Sequence, residues 1–262
     1  MPDLLTILAI AGAAAVASPL GGLIALWHRP DTLFTSSALG FASGVLLGTI
    51  AFSMLPQALA LGSLPIAVGG FVIGFAAVYG FDLFIHRGRV AGAAAEQHPQ
   101  IERLYRRRRP RGGEVTVLAG GTSAEELIEG LSIGVGVTIH PGVGLLIALA
   151  IVVDNLSEGL SIGEIIRSEP ASDRSRDQTR RILGWTTLIG VALFGSALAG
   201  WFLLRGVARP VLGLLFAVGA GGMFYLTVSD LVPQAEERHY QQSAAITTGA
   251  GFVTMFVLSQ FI

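Results

Sequence analysis

The chain has 262 residues, 52% of them apolar and 13% charged, and a mean hydropathy of +0.66. That is too apolar for an ordinary soluble domain. Cysteine is absent, which excludes disulfides, thiolate metal sites and cysteine nucleophiles; the net charge of −1 says less than its distribution does.

Eight apolar stretches approach the roughly 20 residues a membrane helix needs. They run near 4–28, 35–60, 64–86, 114–139, 142–167, 182–204, 209–233 and 243–262. Together they predict an all-α polytopic membrane protein, one transmembrane transporter domain over 1–262. The first stretch is Ala-rich to Ser18, yet it has no basic leading segment and stays apolar to Trp27, so it reads as a spanning helix. The second contains Phe41-Ala-Ser-Gly44 and ends Met54-Leu-Pro56-Gln57-Ala58. The third ends near Asp82 and His86.

A polar, Gly- and Arg-rich loop follows at about 87–113, with Arg106 to Arg109 in a row. Beside membrane helices such a run signals topology and attraction to anionic lipid, so no nucleic-acid partner is expected. All 17 basic residues are Arg. Fifteen fall in the odd-numbered connections and two, Arg205 and Arg209, in the even ones. The odd connections therefore face the cytoplasm and both termini lie outside, in the cell membrane.

The fourth and fifth stretches carry the chemistry. Glu-Gly-Leu-Ser-Ile-Gly occurs at 129–134 and again at 158–163, each copy preceded four residues earlier by an acid, Glu125 or Asp154. Residues four apart share a helix face. One face holds Glu125, Glu126, Glu129 and Ser132; the other holds Asp154, Asn155, Glu158 and Ser161. The Ile139-His140-Pro141-Gly142 turn makes the two helices antiparallel neighbours, so both acidic stripes meet near the bilayer midplane. A carboxylate there costs about 2.5–3.5 kcal/mol, with no Lys or Arg close in sequence to pair with it. Oxygens converging in a dry site replace the hydration shell of a divalent cation, and five carboxylates suit one or two such ions. Protonated acids that merely pack the bundle are the bland alternative. Gly130 and Gly159 let a backbone or a hydrated ion approach.

The connection at about 168–181 reads as solvated, with Glu164 at the water boundary before it. The seventh stretch contains Phe216-Ala-Val-Gly219 and ends Leu231-Val-Pro233-Gln234-Ala235, echoing the second. Since the two run in opposite directions, this is the trace of an inverted 3+2+3 repeat around the fourth and fifth helices. Asp230, Ser132 and Ser161 are exit-path candidates. His28, His86, His140 and His239 fall at helix ends or loops, and Trp27, Trp185 and Trp201 near interfaces, as anchors.

At these residues the chain resembles the ZIP (Zrt/Irt-like) family of divalent-metal transporters. The family pattern His-Asn-x-Pro-Glu-Gly on the fourth helix is matched by Glu125-Glu126-Leu127-Ile128-Glu129-Gly130, and a related pattern on the fifth by Asp154-Asn155-Leu156-Ser157-Glu158-Gly159. On the seventh, Gly221-Gly222-Met223-Phe224-Tyr225, then Ser229-Asp230 and Pro233-Gln234, resemble the family's Gly-x-Met-x-Tyr, His-Glu and Pro-Glu. The resemblance implies eight helices, a variable loop between the third and fourth, and metal ligands on the fourth and fifth. Glu125, Glu126, Glu129, Asp154, Asn155 and Glu158 are the implied ligands. The chain departs from the pattern at Glu125 and Ser229, where histidine is usual, at Ile128 and Ser157, where proline is, and in a loop whose one histidine is His98.

The expected function is transport of divalent metal, zinc by resemblance with manganese or iron as alternatives, into the cytoplasm. No cofactor beyond the cargo is expected, the partners are the metal ion and the bilayer, and a homodimer is left open. A metal-binding scaffold or sensor without flux, and a proton-conducting carrier, are the competing readings. An enzyme is not expected: an intramembrane aspartyl protease needs a Gly-x-Gly-Asp sequence, which the chain lacks.

Overall fold

The computed structural model describes residues 4–27, 32–85, 114–168, 175–204, 206–236 and 241–261. In chain order the helices are α1 (Leu4–Trp27), α2 (Thr32–Thr49), α3 (Leu64–Ile85), α4 (Glu114–Ile139), α5 (Pro141–Ser168), α6 (Ser175–Leu203), α7 (Arg209–Leu226) and α8 (Gln241–Leu258). A π-helical turn, Ile50–Met54, continues α2 into Leu55–Leu61, and another, Thr227–Leu231, continues α7 into Val232–Glu236. No strand occurs among the described residues. Such a fold suits lipid, where backbone amides must find their partners within the segment.

Among the described residues six helices are long and apolar enough to cross a membrane: α1, α2, α3, α5, α6 and α7. Every 18-residue stretch of α4 contains Glu125, Glu126 and Glu129, which takes it out of that set; α8 opens on Gln241 and Gln242. α6 begins at Ser175, so the second half of the polar connection expected at 168–181 is helical. The Arg-rich loop, Arg106 to Arg109, His28, His86, His98, His239 and the Glu164 side chain lie outside the described residues.

The two π turns have one cause. Proline has no amide hydrogen and its ring meets the carbonyl four residues back. For Pro56 and Pro233 those are Phe52 and Ser229, each inside its widened turn. An extra residue in the turn relieves the clash and re-aims the side chains around it. Pro19 does the same chemistry within α1: the Ala15 carbonyl, without its usual donor, faces the backbone of Gly190 on α6.

Packing falls into two groups. α1 packs on α5 and α6, and α4 on α5 and α6; α2 packs on α8, and α3 on α7. The groups meet where α2 touches α5 and α7 touches α4. Small residues set these contacts. Gly44 on α2 lies against the Thr248 carbonyl and Gly251 on α8 against that of Phe41. Gly221 on α7 lies against the Phe71 carbonyl and Gly74 on α3 against that of Val218. Every residue of the second contact pair stands 177 positions from one in the first. The Pro-Gln-Ala phrases at 56–58 and 233–235 share that interval, but Phe216-Ala-Val-Gly219 is two residues off it. Gly219 instead faces the Ser132 hydroxyl and the Met54 methyl.

One anchor assignment is overturned. Trp201 is buried in the main core, 1% exposed, with its ring edge-on to Phe202. Trp27 is exposed, and Trp185 is half-buried against Ile182 and Ile189. Trp201 shares its helix face with Ala197 and Leu193, which pack on α4, and this burial outweighs the interfacial preference of the indole.

Candidate metal centre

The hairpin between α4 and α5 sets the depth of everything on it. His140 closes the turn: its amide donates to the Gly136 carbonyl at 2.9 Å, and its Nδ1 accepts the Gly142 amide at 3.2 Å. Beside it Gly136 and Gly144 pack backbone to backbone, so the helices leave the turn in close contact. Glu125 and Asp154 lie a similar number of residues from the turn, about 20 Å along either helix at 1.5 Å per residue.

There the side chains converge. One carboxylate oxygen each from Glu125, Glu129 and Asp154 lies within 4.8 Å of the other two. All three residues are buried, Glu125 at 6%, Glu129 at 1% and Asp154 at 0% exposure. Glu126, one residue round the helix, is held apart: its Oε2 accepts a hydrogen bond from Asn155 Nδ2 at 3.3 Å. Both are fully buried. The Ser196 hydroxyl on α6 donates to the Glu126 backbone carbonyl at 3.1 Å, tying the same turn to the next helix.

What these groups lack is informative. Both oxygens of Glu129 and of Asp154, with Glu126 Oε1, Asn155 Oδ1 and Glu158 Oε2, are buried with no hydrogen-bond partner. Buried polar atoms are nearly always satisfied, since each orphan costs about 1–3 kcal/mol, and more when charged. The described basic side chain on this hairpin, Arg167, is occupied elsewhere: its guanidinium donates to the Ala25 and Leu26 carbonyls at the end of α1.

Glu158 is set slightly off the triad and half-buried, beside a cleft lined also by Ser161, Asp230, Gln234 and Leu39. Asp230 is exposed in the α7 π turn and accepts a hydrogen bond from Gln234 Nε2 at 2.8 Å. Ser132 lies away from this cleft, its hydroxyl donating to the Ile128 carbonyl at 2.8 Å. Gly130 and Gly159 admit neighbouring backbone: Gly130 faces Leu193 and Ala197 of α6, Gly159 faces Ser18 and Gly22 of α1.

Two features escaped the sequence reading. Gln234 joins the cleft; the sequence placed it in the Pro-Gln echo and opposite the resembled family's Pro-Glu, but not among the site residues. Asp82, near the end of the third stretch, is half-buried and accepts the Tyr225 hydroxyl at 2.6 Å, joining α3 to α7. The rings of Phe75 and Tyr79 pack edge-on around Tyr225.

A family model described as ZIP Zinc transporter matches residues 92–259, well over half of the chain. The chain is 30% identical to a zinc transporter ZupT of Salmonella arizonae, over 90% of this chain and 87% of the relative. It is 30% identical to a ZupT of Corynebacterium glutamicum, over 93% and 94%. A ZupT of Escherichia fergusonii is 28% identical over 90% and 87%.

Proposed function

Because this chain belongs to the ZIP zinc transporter family, we propose that it carries divalent metal ions, zinc among them, across the membrane. The reading rests most on one observation: carboxylate oxygens of Glu125, Glu129 and Asp154 converge, all three residues buried and both oxygens of Glu129 and of Asp154 without a hydrogen-bond partner, inside an apolar helix bundle. A divalent cation supplies the missing counter-charge, and the oxygens replace the water it leaves behind. Glu126, Asn155 and Glu158 flank the triad as further ligands. Glu158 then hands the ion to Asp230, Ser161 and Gln234 in the open cleft; Ser132, turned away, belongs to the opposite side of the path. A carrier needs such graded contact, since an ion held only at the deepest point would not leave.

We infer that all eight helices cross the membrane, α4 and α8 included, with the cleft on the cytoplasmic side and both termini outside. The arginine distribution supports that orientation. The repeated interval of 177 residues between the α2–α8 and α3–α7 contacts, and the paired π turns, support an inverted repeat around α4 and α5. The bilayer is the cytoplasmic membrane.

Purified protein in proteoliposomes, loaded with a zinc-sensitive dye, tests the function. Zinc enters vesicles of the parent protein, and the Glu129→Gln, Glu158→Gln double variant loses uptake by about 100-fold or more, because neutral amides remove the charge that compensates the ion. Undiminished uptake by the double variant refutes the site. Binding without flux in the parent refutes transport.

A further inference from the structure

We propose that the centre is built for hard divalent cations of the manganese class, so that zinc holds little advantage in it; this rests on the transport reading above and names its cargo. The donors decide this. Glu125, Glu129 and Asp154 offer carboxylate oxygens within 4.8 Å of one another, and no histidine or cysteine joins them among the described residues. The neighbouring orphan atoms, Glu126 Oε1, Asn155 Oδ1 and Glu158 Oε2, are oxygens too. His140 is exposed in the hairpin turn with its Nδ1 engaged by Gly142.

Zinc gains its margin over manganese chiefly from softer ligands, imidazole and thiolate, and settles for four of them. Carboxylate, carbonyl and water in an octahedral shell suit magnesium, calcium and manganese instead. Among these the burial discriminates. Magnesium gives up water reluctantly and keeps several waters in its sites. A triad whose side chains are at most 6% exposed has little room for such a shell. Calcium asks for six to eight ligands at 2.3–2.6 Å, whereas the residues whose oxygens converge here are Glu125, Glu129 and Asp154. Manganese, and ferrous iron close to it, fits between these limits. Attraction by several carboxylates acts on charge rather than softness, so it raises every divalent ion alike and leaves this ordering intact.

Uptake of radioactive manganese into proteoliposomes, with zinc, cadmium, magnesium and calcium as competitors, tests the assignment. In the parent protein, zinc and manganese half-inhibit at concentrations within about tenfold of each other, while magnesium needs far more. Glu125→His puts an imidazole into the triad and shifts the zinc-to-manganese ratio toward zinc by about tenfold or more. Should that variant carry nothing, zinc and manganese affinities measured by calorimetry on parent and variant in detergent report the same ratio. A zinc advantage beyond about tenfold in the parent, or a ratio unmoved by Glu125→His, overturns the proposal. Absence of flux for every metal strikes the transport reading instead; zinc flux without manganese flux strikes only this inference.

Discussion

At Asn155 one amide does two jobs: its Nδ2 donates to Glu126, and its Oδ1 is left buried and unpartnered beside the acids. Asn155→Ala removes both. Outer contacts to a metal ligand commonly carry 10–100-fold in affinity, so the KM for metal uptake rises by about that factor while the helices stay folded. Unchanged KM would remove Asn155 from the site. Tyr225 predicts a different pattern. Its hydroxyl is bonded to a half-buried carboxylate between α3 and α7, remote from the triad in sequence. Tyr225→Phe leaves Asp82 short of one donor and lowers stability by about 1–2 kcal/mol, read as an earlier unfolding midpoint in detergent, with metal preference retained.

Glycine decides how the elements meet, but only at certain positions. Any side chain at Gly44 or Gly221 runs into the backbone of the helix packed against it. Gly44→Leu and Gly221→Leu therefore force α2 from α8 and α7 from α3, each costing about 1–3 kcal/mol or more. Gly69 has nothing within 4 Å of its would-be Cβ, so Gly69→Ala is neutral or gains about 0.5–1 kcal/mol from backbone entropy. Thermal unfolding of the three variants separates these cases; equal midpoints would mean the close contacts contribute nothing. Sequence alone marked Gly130 and Gly159, since each follows an acid in a repeated phrase. It left open whether backbone or ion approaches them, because that depends on α1 and α6. The structure answers with backbone at both. The π turns were likewise out of reach: Pro56 and Pro233 were visible, but a proline is compatible with a kink, a break or a widened turn, and packing chooses among them.

Across the whole molecule, the absence of cysteine makes orientation directly measurable. Ser63→Cys, in the exposed bend between α2 and α3, reacts with a membrane-impermeant maleimide on intact cells, and Gln97→Cys in the Arg-rich loop reacts only after the cells are opened. The reverse pattern would invert the topology and put the cleft outside. The helical class and the acidic hairpin were legible at this scale, because apolar length and i, i+4 spacing are local properties. Which acids converge was less so. Glu125, Glu126, Glu129, Asp154 and Glu158 look alike in sequence, yet Glu126 is drawn off by Asn155 and Glu158 opens to the cleft. Trp201 misled for the same reason, its long-range packing on the core being invisible to a local rule. A bound cation is what the proposed centre requires of its buried oxygens. Crystals grown with manganese, measured at the manganese absorption edge, test that most directly. An anomalous peak about 2–2.5 Å from oxygens of Glu125, Glu129 and Asp154 is the expected result; strong peaks elsewhere, with the three carboxyls hydrogen-bonded to one another and no peak between them, would contradict it.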